Sequence, residues 1–201
     1  MVIPREPFDK AQGHGHERSR VGHRRDYTQA PVLISKAYLL GSLHDGTERR
    51  LTFRICQKSE EYIDLLARGI RGLGGNAWTY KEGKTRRLYV VEFSKSFLSK
   101  FRINTELEKV DYIRGYFDTE GGIARTGKVR YYLYFAQKNL SDLIQVRNYL
   151  MEQLIACGKI HNPSKKVDPN YWRFYINARS YKDFAEKVGS WHPEKSLYLR
   201  G

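Results

Sequence analysis

The chain has 201 residues, a formal net charge of +14 and 40% hydrophobic residues. This length suits one large or two small domains, and the apolar content is sufficient for a core. The positive charge favours nucleic acid as the partner, and no apolar run approaches the roughly 20 residues that span a bilayer. The basic N-terminus does not resemble a signal peptide, and the chain's two cysteines cannot build a disulfide framework. We therefore expect a protein of the cytoplasm or an organellar matrix that is not secreted.

Three segments follow one another along the chain. Residues 1–30 are rich in Gly, His and Arg with little periodicity, which predicts a basic N-terminal arm. From residue 31 onward the chain presents the same plan twice, which predicts one repeat over 31–104 and a second over 105–201.

The first repeat opens with an apolar stretch at 37–46. An alternating pattern predicts a strand at about 50–57, and a helix capped by Ser59 follows at about 59–71. Two strands are expected at about 76–82 and 86–93, and a short helix from Ser94 closes the unit.

The second repeat follows the same order. Its pattern predicts a helix at 108–118, a strand at 128–137 and a helix at 140–156. Strands are expected near 158–162 and 171–179, and a final helix from Ser180. The pairs Gln57-Lys58 and Gln137-Lys138 follow the first long strand of each repeat and set the alignment of the two.

The two aligned strands have matching faces. In this register Leu51, Phe53 and Ile55 face the core in the same way as Tyr131, Leu133 and Phe135. The opposite faces carry no acid in the strands themselves and could contact DNA bases or phosphates through Arg50, Thr52, Arg54, Arg130, Tyr132 and Tyr134. Basic connections in both repeats are expected to contact the DNA backbone through Lys81, Lys84, Arg86, Lys165 and Lys166. The alternative is that these strands and lysines are merely solvent-exposed.

The segment 112–121 combines an apolar helical pattern with Asp118, Glu120 and Gly121 at its end. Carboxylates at the C-terminal end of a helix oppose its dipole and need a compensating cation, which indicates a divalent metal. The alternative is a buried helix that ends in an ordinary acidic turn. If each repeat contributes one acid, Asp45 and Glu120 would hold Mg²⁺ for phosphodiester hydrolysis.

Residues 113–121 match all nine positions of the LAGLIDADG signature. With the weaker first motif at 37–46, the recurring Gln-Lys pair and the helix–strand order, the chain resembles a monomeric, two-repeat LAGLIDADG homing endonuclease. The resemblance implies an α/β (α+β) fold of two pseudo-symmetric αββαββα repeats. The motif helices would pack at the centre, with Gly41 and Gly115 at their contact, and two antiparallel sheets would form a saddle for double-stranded DNA.

The resemblance also implies a function and a site. We expect a sequence-specific DNA endonuclease, intron-encoded or free-standing, with a long recognition site. It would act as a monomer with Mg²⁺, for which Mn²⁺ could substitute. Asp118 is expected to be structural. The implied catalytic set is Asp45, Glu120, Gln57, Gln137, Lys58 and Lys138, with Asp45 and Glu120 as the metal ligands.

The first motif departs from the family pattern. Three residues separate Gly41 from Asp45, where the family has four between the glycine and the acid. One residue is about 100° of helix rotation, so a regular helix would aim Asp45 away from the metal. Either the helix ends early and Gly46 allows an unusual turn, or His44 or Glu48 substitutes. Otherwise the site is impaired, and the alternative function is an RNA maturase or a DNA-binding factor.

Overall fold

The computed structural model describes residues 34–83, 85–126 and 129–199. The predicted arm at 1–30 lies outside these residues, as do residues 31–33 of the first repeat. The first repeat contains α1 (Lys36–Ser42), β1 (Gly46–Glu48), β2 (Thr52–Gln57), α2 (Glu60–Gly72), β3 (Ala77–Lys81) and β4 (Tyr89–Ser94). The second contains α3 (Glu106–Glu120), β5 (Gly121–Thr126), β6 (Val129–Gln137), α4 (Leu140–Glu152), β7 (Trp172–Tyr175), α5 (Tyr181–Lys187) and α6 (Pro193–Leu199).

Side-chain caps begin four of the helices. Ser35, Ser59 and Asn139 accept hydrogen bonds from the first-turn amides of α1, α2 and α4. Thr105 and Glu108 form a reciprocal capping box at the start of α3. These caps satisfy amides that have no partner inside a helix, and they fix where each helix begins.

Each repeat builds its own antiparallel sheet. The strand order is β1-β2-β4-β3 in the first sheet and β5-β6-β7 in the second. The short strand after each motif helix, β1 or β5, pairs with the long strand that follows it. The predicted fold class is confirmed: both repeats contain helices and one antiparallel sheet in the same order, with four strands in the first sheet and three in the second.

Several predicted elements differ from the observed ones. No strand forms at 158–162. In this region there are only two isolated bridges, from Cys157 to Ile176 and from His161 to Arg173. Pro163 has no amide hydrogen to extend such a ladder, and the Asn162 side chain bonds instead to the carbonyls of Asp168 and Pro169. Helix α6 was not predicted.

The predicted inner faces are confirmed except at one residue. Ile55, Leu133 and Phe135 are fully buried, and Phe53 and Tyr131 pack against the cores. Leu51 is 72% exposed because it lies in the bend before β2 rather than in the strand, so its assignment to the core was wrong.

Helices α1 and α3 pack directly against each other through two glycines. A Cβ atom on Gly41 would lie 2.0 Å from the Tyr112 carbonyl oxygen, and one on Gly115 would lie 2.0 Å from the Tyr38 carbonyl oxygen. The contacts are reciprocal, as expected for two related helices that cross at a pseudo-twofold axis. This close approach brings the ends of the two helices together, and with them the candidate acids. Within the described residues, no helix is long and apolar enough to cross a membrane.

Candidate metal and nucleic-acid site

Asp45 reaches the helix ends through an early end of α1. The α-helix stops at Ser42, and residues 43–45 form a single 3-10 turn before β1 begins at Gly46. Gly46 has φ −86° and ψ 154°, an extended conformation that any residue adopts, so the unusual glycine turn that the sequence suggested is not used. Because of this tighter turn, the Asp45 side chain points in a different direction from the one a continued α-helix would give it. Its carboxylate accepts a hydrogen bond from the Gln57 side-chain amide.

Glu120 is the last residue of α3 and is partly buried. Burial and the nearby negative charge of Asp45 raise its pKa to about 7, against the opposing effects of Gln137 and Lys195. Asp45 is more exposed, but partial loss of hydration still raises its pKa to about 6, while its hydrogen bond from Gln57 and the charge of Lys195 act in the other direction. The two carboxylates therefore lie close enough to repel each other.

His44 connects the 3-10 turn to the second repeat. Its Nδ1 lies 3.3 Å from Asp142 Oδ2 on α4, and its Nε2 lies 2.6 Å from the Tyr112 hydroxyl on α3. Burial lowers the pKa of His44 despite the neighbouring Asp142. The structure places this side chain as an anchor for the turn that carries Asp45, in contact with α3 and α4.

A lysine that the sequence analysis did not single out lies at the end of α3. Lys195 on α6 donates hydrogen bonds to the carbonyl oxygens of Phe117, Asp118 and Gly121 at 2.7, 2.8 and 2.7 Å. The cation expected beside the acids is thus supplied in part by the chain itself. No local signal distinguishes Lys195 in sequence, because its partners are backbone atoms more than 70 positions earlier.

Asp118 has the structural role that was predicted. Its buried carboxylate accepts hydrogen bonds from the Tyr38 hydroxyl at 2.6 Å and from the amides of Trp191 and His192 at 2.9 and 3.1 Å. The Ser190 hydroxyl donates a further one. Asp118 therefore joins α1 and the segment before α6 to the motif helix.

The other predicted catalytic residues divide into two groups. Gln57 contacts Asp45, and Gln137 lies beside Glu120 and donates a long bond, 3.4 Å, to the His44 carbonyl. Lys58 is exposed, and Lys138 extends to Asp168, with 3.5 Å between Nζ and Oδ2. The structure brings the two glutamines to the acids and gives neither lysine a hydrogen bond or ion pair with them.

The outer face of the first sheet is less basic than its strand sequence suggests. The Arg54 guanidinium lies 2.5 Å from a Glu82 oxygen, and the Thr52 hydroxyl donates to Glu92 at 2.5 Å. Glu92 shares this face because it pairs with Arg54 across the ladder. The acid-free face that β2 alone indicated is therefore wrong for the sheet as a whole, since the chain after β3 and strand β4 supply two carboxylates.

The outer face of the second sheet is lined with tyrosine and arginine. The Arg173 guanidinium lies 4.6 Å from the centre of the Tyr134 ring and donates to the Tyr171 hydroxyl at 2.6 Å. Tyr132 and Tyr175 are in edge contact at 5.2 Å. This face joins the predicted Tyr132 and Tyr134 to an arginine that the sequence analysis left out.

The remaining candidate DNA contacts lie at the surface. Lys84 lies outside the described residues. The other side chains are solvent-exposed and accessible to a polyanion such as DNA: Arg50, Lys81, Arg86, Arg130, Lys165 and Lys166.

No group of three or more His, Cys, Asp or Glu side chains is arranged to hold a metal ion in residues 34–83, 85–126 and 129–199. The candidate donors are two carboxylates, Asp45 and Glu120, one from each motif. This number is compatible with Mg²⁺, which usually binds through one or two carboxylates together with water and substrate phosphates.

Comparison with known proteins supports the family resemblance. Residues 108–189 match the model of the LAGLIDADG-like domain. No curated protein sequence matches the chain significantly.

Solved structures extend the match to the first repeat. I-DmoI in complex with DNA and Mn is 21% identical, with 77% of this chain and 95% of that chain covered and a TM-score of 0.58. I-DmoI in complex with DNA and Ca is 22% identical, with 82% of this chain and 95% of that chain covered and a TM-score of 0.59. Full-length DUF199/WhiA from Thermatoga maritima is 18% identical, with 82% of this chain and 58% of that chain covered and a TM-score of 0.61. The resemblance predicted from the sequence is supported: residues 108–189 match a LAGLIDADG-like domain, and the described chain shares the fold of these solved structures.

Proposed function

We propose that the chain is a sequence-specific, Mg²⁺-dependent endonuclease of double-stranded DNA. One observation carries the proposal: α1 and α3 pack backbone to backbone at Gly41 and Gly115, which brings Asp45 and Glu120 together at their ends. The nearby charge of Asp45 accordingly helps to raise the pKa of Glu120 to about 7. Two carboxylates held close together without a full complement of cations favour a bound divalent ion. The similarity to I-DmoI structures that contain DNA and Mn or Ca supports the same reading.

The residues present fit such a metal. Asp45 and Glu120 would be its protein ligands, and hard carboxylate oxygens are the donors that Mg²⁺ and Mn²⁺ prefer. When bound, the ion would supply Lewis-acid stabilisation of the phosphate and of the leaving oxygen. Lys195 compensates part of the negative charge and leaves the remainder for the metal.

The chain's own groups orient the site. The Gln57 amide holds the Asp45 carboxylate, and Gln137 lies beside Glu120, so each acid has a neutral partner from the end of a long strand. Such neighbours fix the direction of a carboxylate without neutralising it. The outer faces of the two sheets would bind the duplex. The second would do so through its tyrosines and Arg173, and the first through exposed basic side chains such as Arg50 and Lys81.

Cleavage of DNA tests the proposal directly. Purified protein is incubated with Mg²⁺ and a library of candidate insertion sites, and products are sequenced. We expect cleavage of both strands at a long site, with activity lost in Glu120→Gln and DNA affinity retained. Intact DNA across a well-sampled library would contradict the nuclease assignment.

Binding strength should depend steeply on salt. If about eight phosphates are contacted, the logarithm of affinity should fall against the logarithm of salt concentration with a slope of about −7. A nearly flat dependence would contradict binding along the two sheets. We further propose that the protein acts as a monomer, since two repeats in one chain provide both acids.

A second candidate is a DNA-binding factor or RNA maturase with an impaired site. The observation in its favour is Lys195, whose ammonium already occupies the C-terminal end of α3 beside the acids. This candidate predicts tight nucleic-acid binding, no metal at Glu120 and no effect of Glu120→Gln. Binding and cleavage measured on the same two variants separate the candidates.

A further inference from the structure

The C-terminal segment is attached to the motif helix through Asp118. The Asp118 carboxylate accepts hydrogen bonds from the backbone amides of Trp191 and His192 and from the Ser190 hydroxyl. The Trp191 ring also lies 4.7 Å from Tyr38, and the His192 ring lies 4.6 Å from Tyr62. These contacts with both repeats fix the start of α6 and thereby the position of Lys195.

Lys195 uses all three of its donors on the end of α3. Its ammonium bonds to the carbonyl oxygens of Phe117, Asp118 and Gly121. The helix does not end in a left-handed glycine cap, because Gly121 has φ −77° and ψ 158° and passes directly into β5. The Phe117 carbonyl also accepts a hydrogen bond from the Gly121 amide, and the ammonium adds to it the positive charge that is favourable at this end of a helix.

We propose that Lys195 is a positioning residue of the carboxylate site, which fixes the backbone on both sides of Glu120 so that its side chain meets Asp45. The inference rests on the proposed function, because it assigns Lys195 to the same metal site. Its hydrogen bonds go to backbone carbonyls before and after Glu120 in the chain, so the ammonium fixes the backbone on both sides of this residue. Since the three donors are occupied, Lys195 is not available to bind substrate itself, which distinguishes positioning from catalysis.

The charge of Lys195 adds to this role. Its ammonium is close enough to oppose the rise in the pKa of both Asp45 and Glu120. Burial in turn lowers the pKa of Lys195 to about 8, against the favourable effect of Asp118, Glu120 and Asp45. The first motif has no such lysine among its described contacts, and its turn is held instead by His44.

Three variants separate positioning from a general effect on folding. Lys195→Met keeps the length of the side chain and removes every donor, and Lys195→Gln keeps two donors without the charge. Lys182→Met on α5 is the matched control, because that side chain is 85% exposed and lies outside the site. DNA affinity in EDTA and cooperative unfolding are measured for all three to confirm that each is folded.

The first readout is amide hydrogen exchange of the peptide 117–123. We expect Lys195→Met to accelerate it about tenfold or more, with Lys195→Gln intermediate and exchange in α2 unchanged. The second readout is Mn²⁺ affinity, followed by electron paramagnetic resonance of the free ion. We expect it to fall about 10- to 100-fold in Lys195→Met and to match wild type in Lys182→Met.

The outcomes that overturn the inference are distinct from those that overturn the nuclease. If wild type binds Mn²⁺ and Lys195→Met binds it equally well, Lys195 does not position the site, whatever the exchange rates are. The inference is also overturned if amide hydrogen exchange of the peptide 117–123 is the same in Lys195→Met as in wild type. If Lys195→Met does not fold, Lys195→Gln decides by the same two readouts. If wild type itself binds no Mn²⁺, the proposed function fails.

Discussion

Replacement of Glu120 by Gln should stabilise the metal-free protein. The fold raises the pKa of Glu120 from 4.5 to about 7, so the ionised form is disfavoured in the folded state. At 1.36 kcal/mol per pKa unit the shift sets an upper limit of about 3 kcal/mol. Because the side chain is partly solvated, we expect about 1–3 kcal/mol, or roughly 2–10 °C in Tm for a chain of this size.

The sign of the effect depends on pH. Between pH 4.5 and about 7 the folded state binds more protons than the unfolded state, so wild-type stability falls as pH rises through this window. The gain from Glu120→Gln is therefore complete above pH 7 and disappears below about pH 4.5. The free energy of unfolding is measured by denaturant titration in EDTA at pH 8 and pH 4.5.

A matched substitution and a metal titration complete this test. Glu186→Gln removes an exposed carboxylate on α5, and we expect it to change stability by less than about 0.5 kcal/mol. Added Mn²⁺ should raise the Tm of wild type and leave that of Glu120→Gln unchanged. A metal-free Glu120→Gln protein that is less stable than wild type at pH 8 would refute the reasoning, because Glu120 would then be fully compensated by Lys195.

Three further predictions follow from the same geometry. Gly115→Ala should destabilise the fold by about 3 kcal/mol or more in denaturant titration, since its Cβ would lie 2.0 Å from the Tyr38 carbonyl oxygen, and an unchanged midpoint would refute close packing of the motif helices. Mn²⁺ affinity should weaken as pH falls from 8 to 6, because Glu120 and Asp45, with pKa values of about 7 and about 6, take up protons, and a flat titration would contradict this. His44→Ala should reduce cleavage about tenfold and leave DNA binding in EDTA unchanged, because the turn that carries Asp45 loses its anchor, and equal loss of both would indicate unfolding.

Local patterns in the sequence were sufficient for the second motif. An unbroken match over 113–121 located α3 and placed Glu120 at its end. The alternation in β2 and β6 assigned most inner positions, because side chains in a strand alternate between faces and the core accepts only one of them. The recurring glutamines were found because each is the last residue of a long strand and is followed by a lysine.

The rest of the site depends on contacts between distant segments. The 3-10 turn that brings in Asp45 is held by His44 against Asp142, a partner on a helix of the other repeat. Lys195 bonds only to backbone oxygens, which no residue pattern reveals. Glu92 reaches the face of Arg54 from another strand, so β2 alone could not predict the charge of its sheet.

Anomalous diffraction from crystals of the protein with duplex DNA and Mn²⁺ tests the central claim most directly. We predict a manganese peak within coordination distance of both Asp45 and Glu120, and its loss in Glu120→Gln. Crystals in which the two carboxylates carry no peak, while Lys195 remains at the end of α3, would contradict the account.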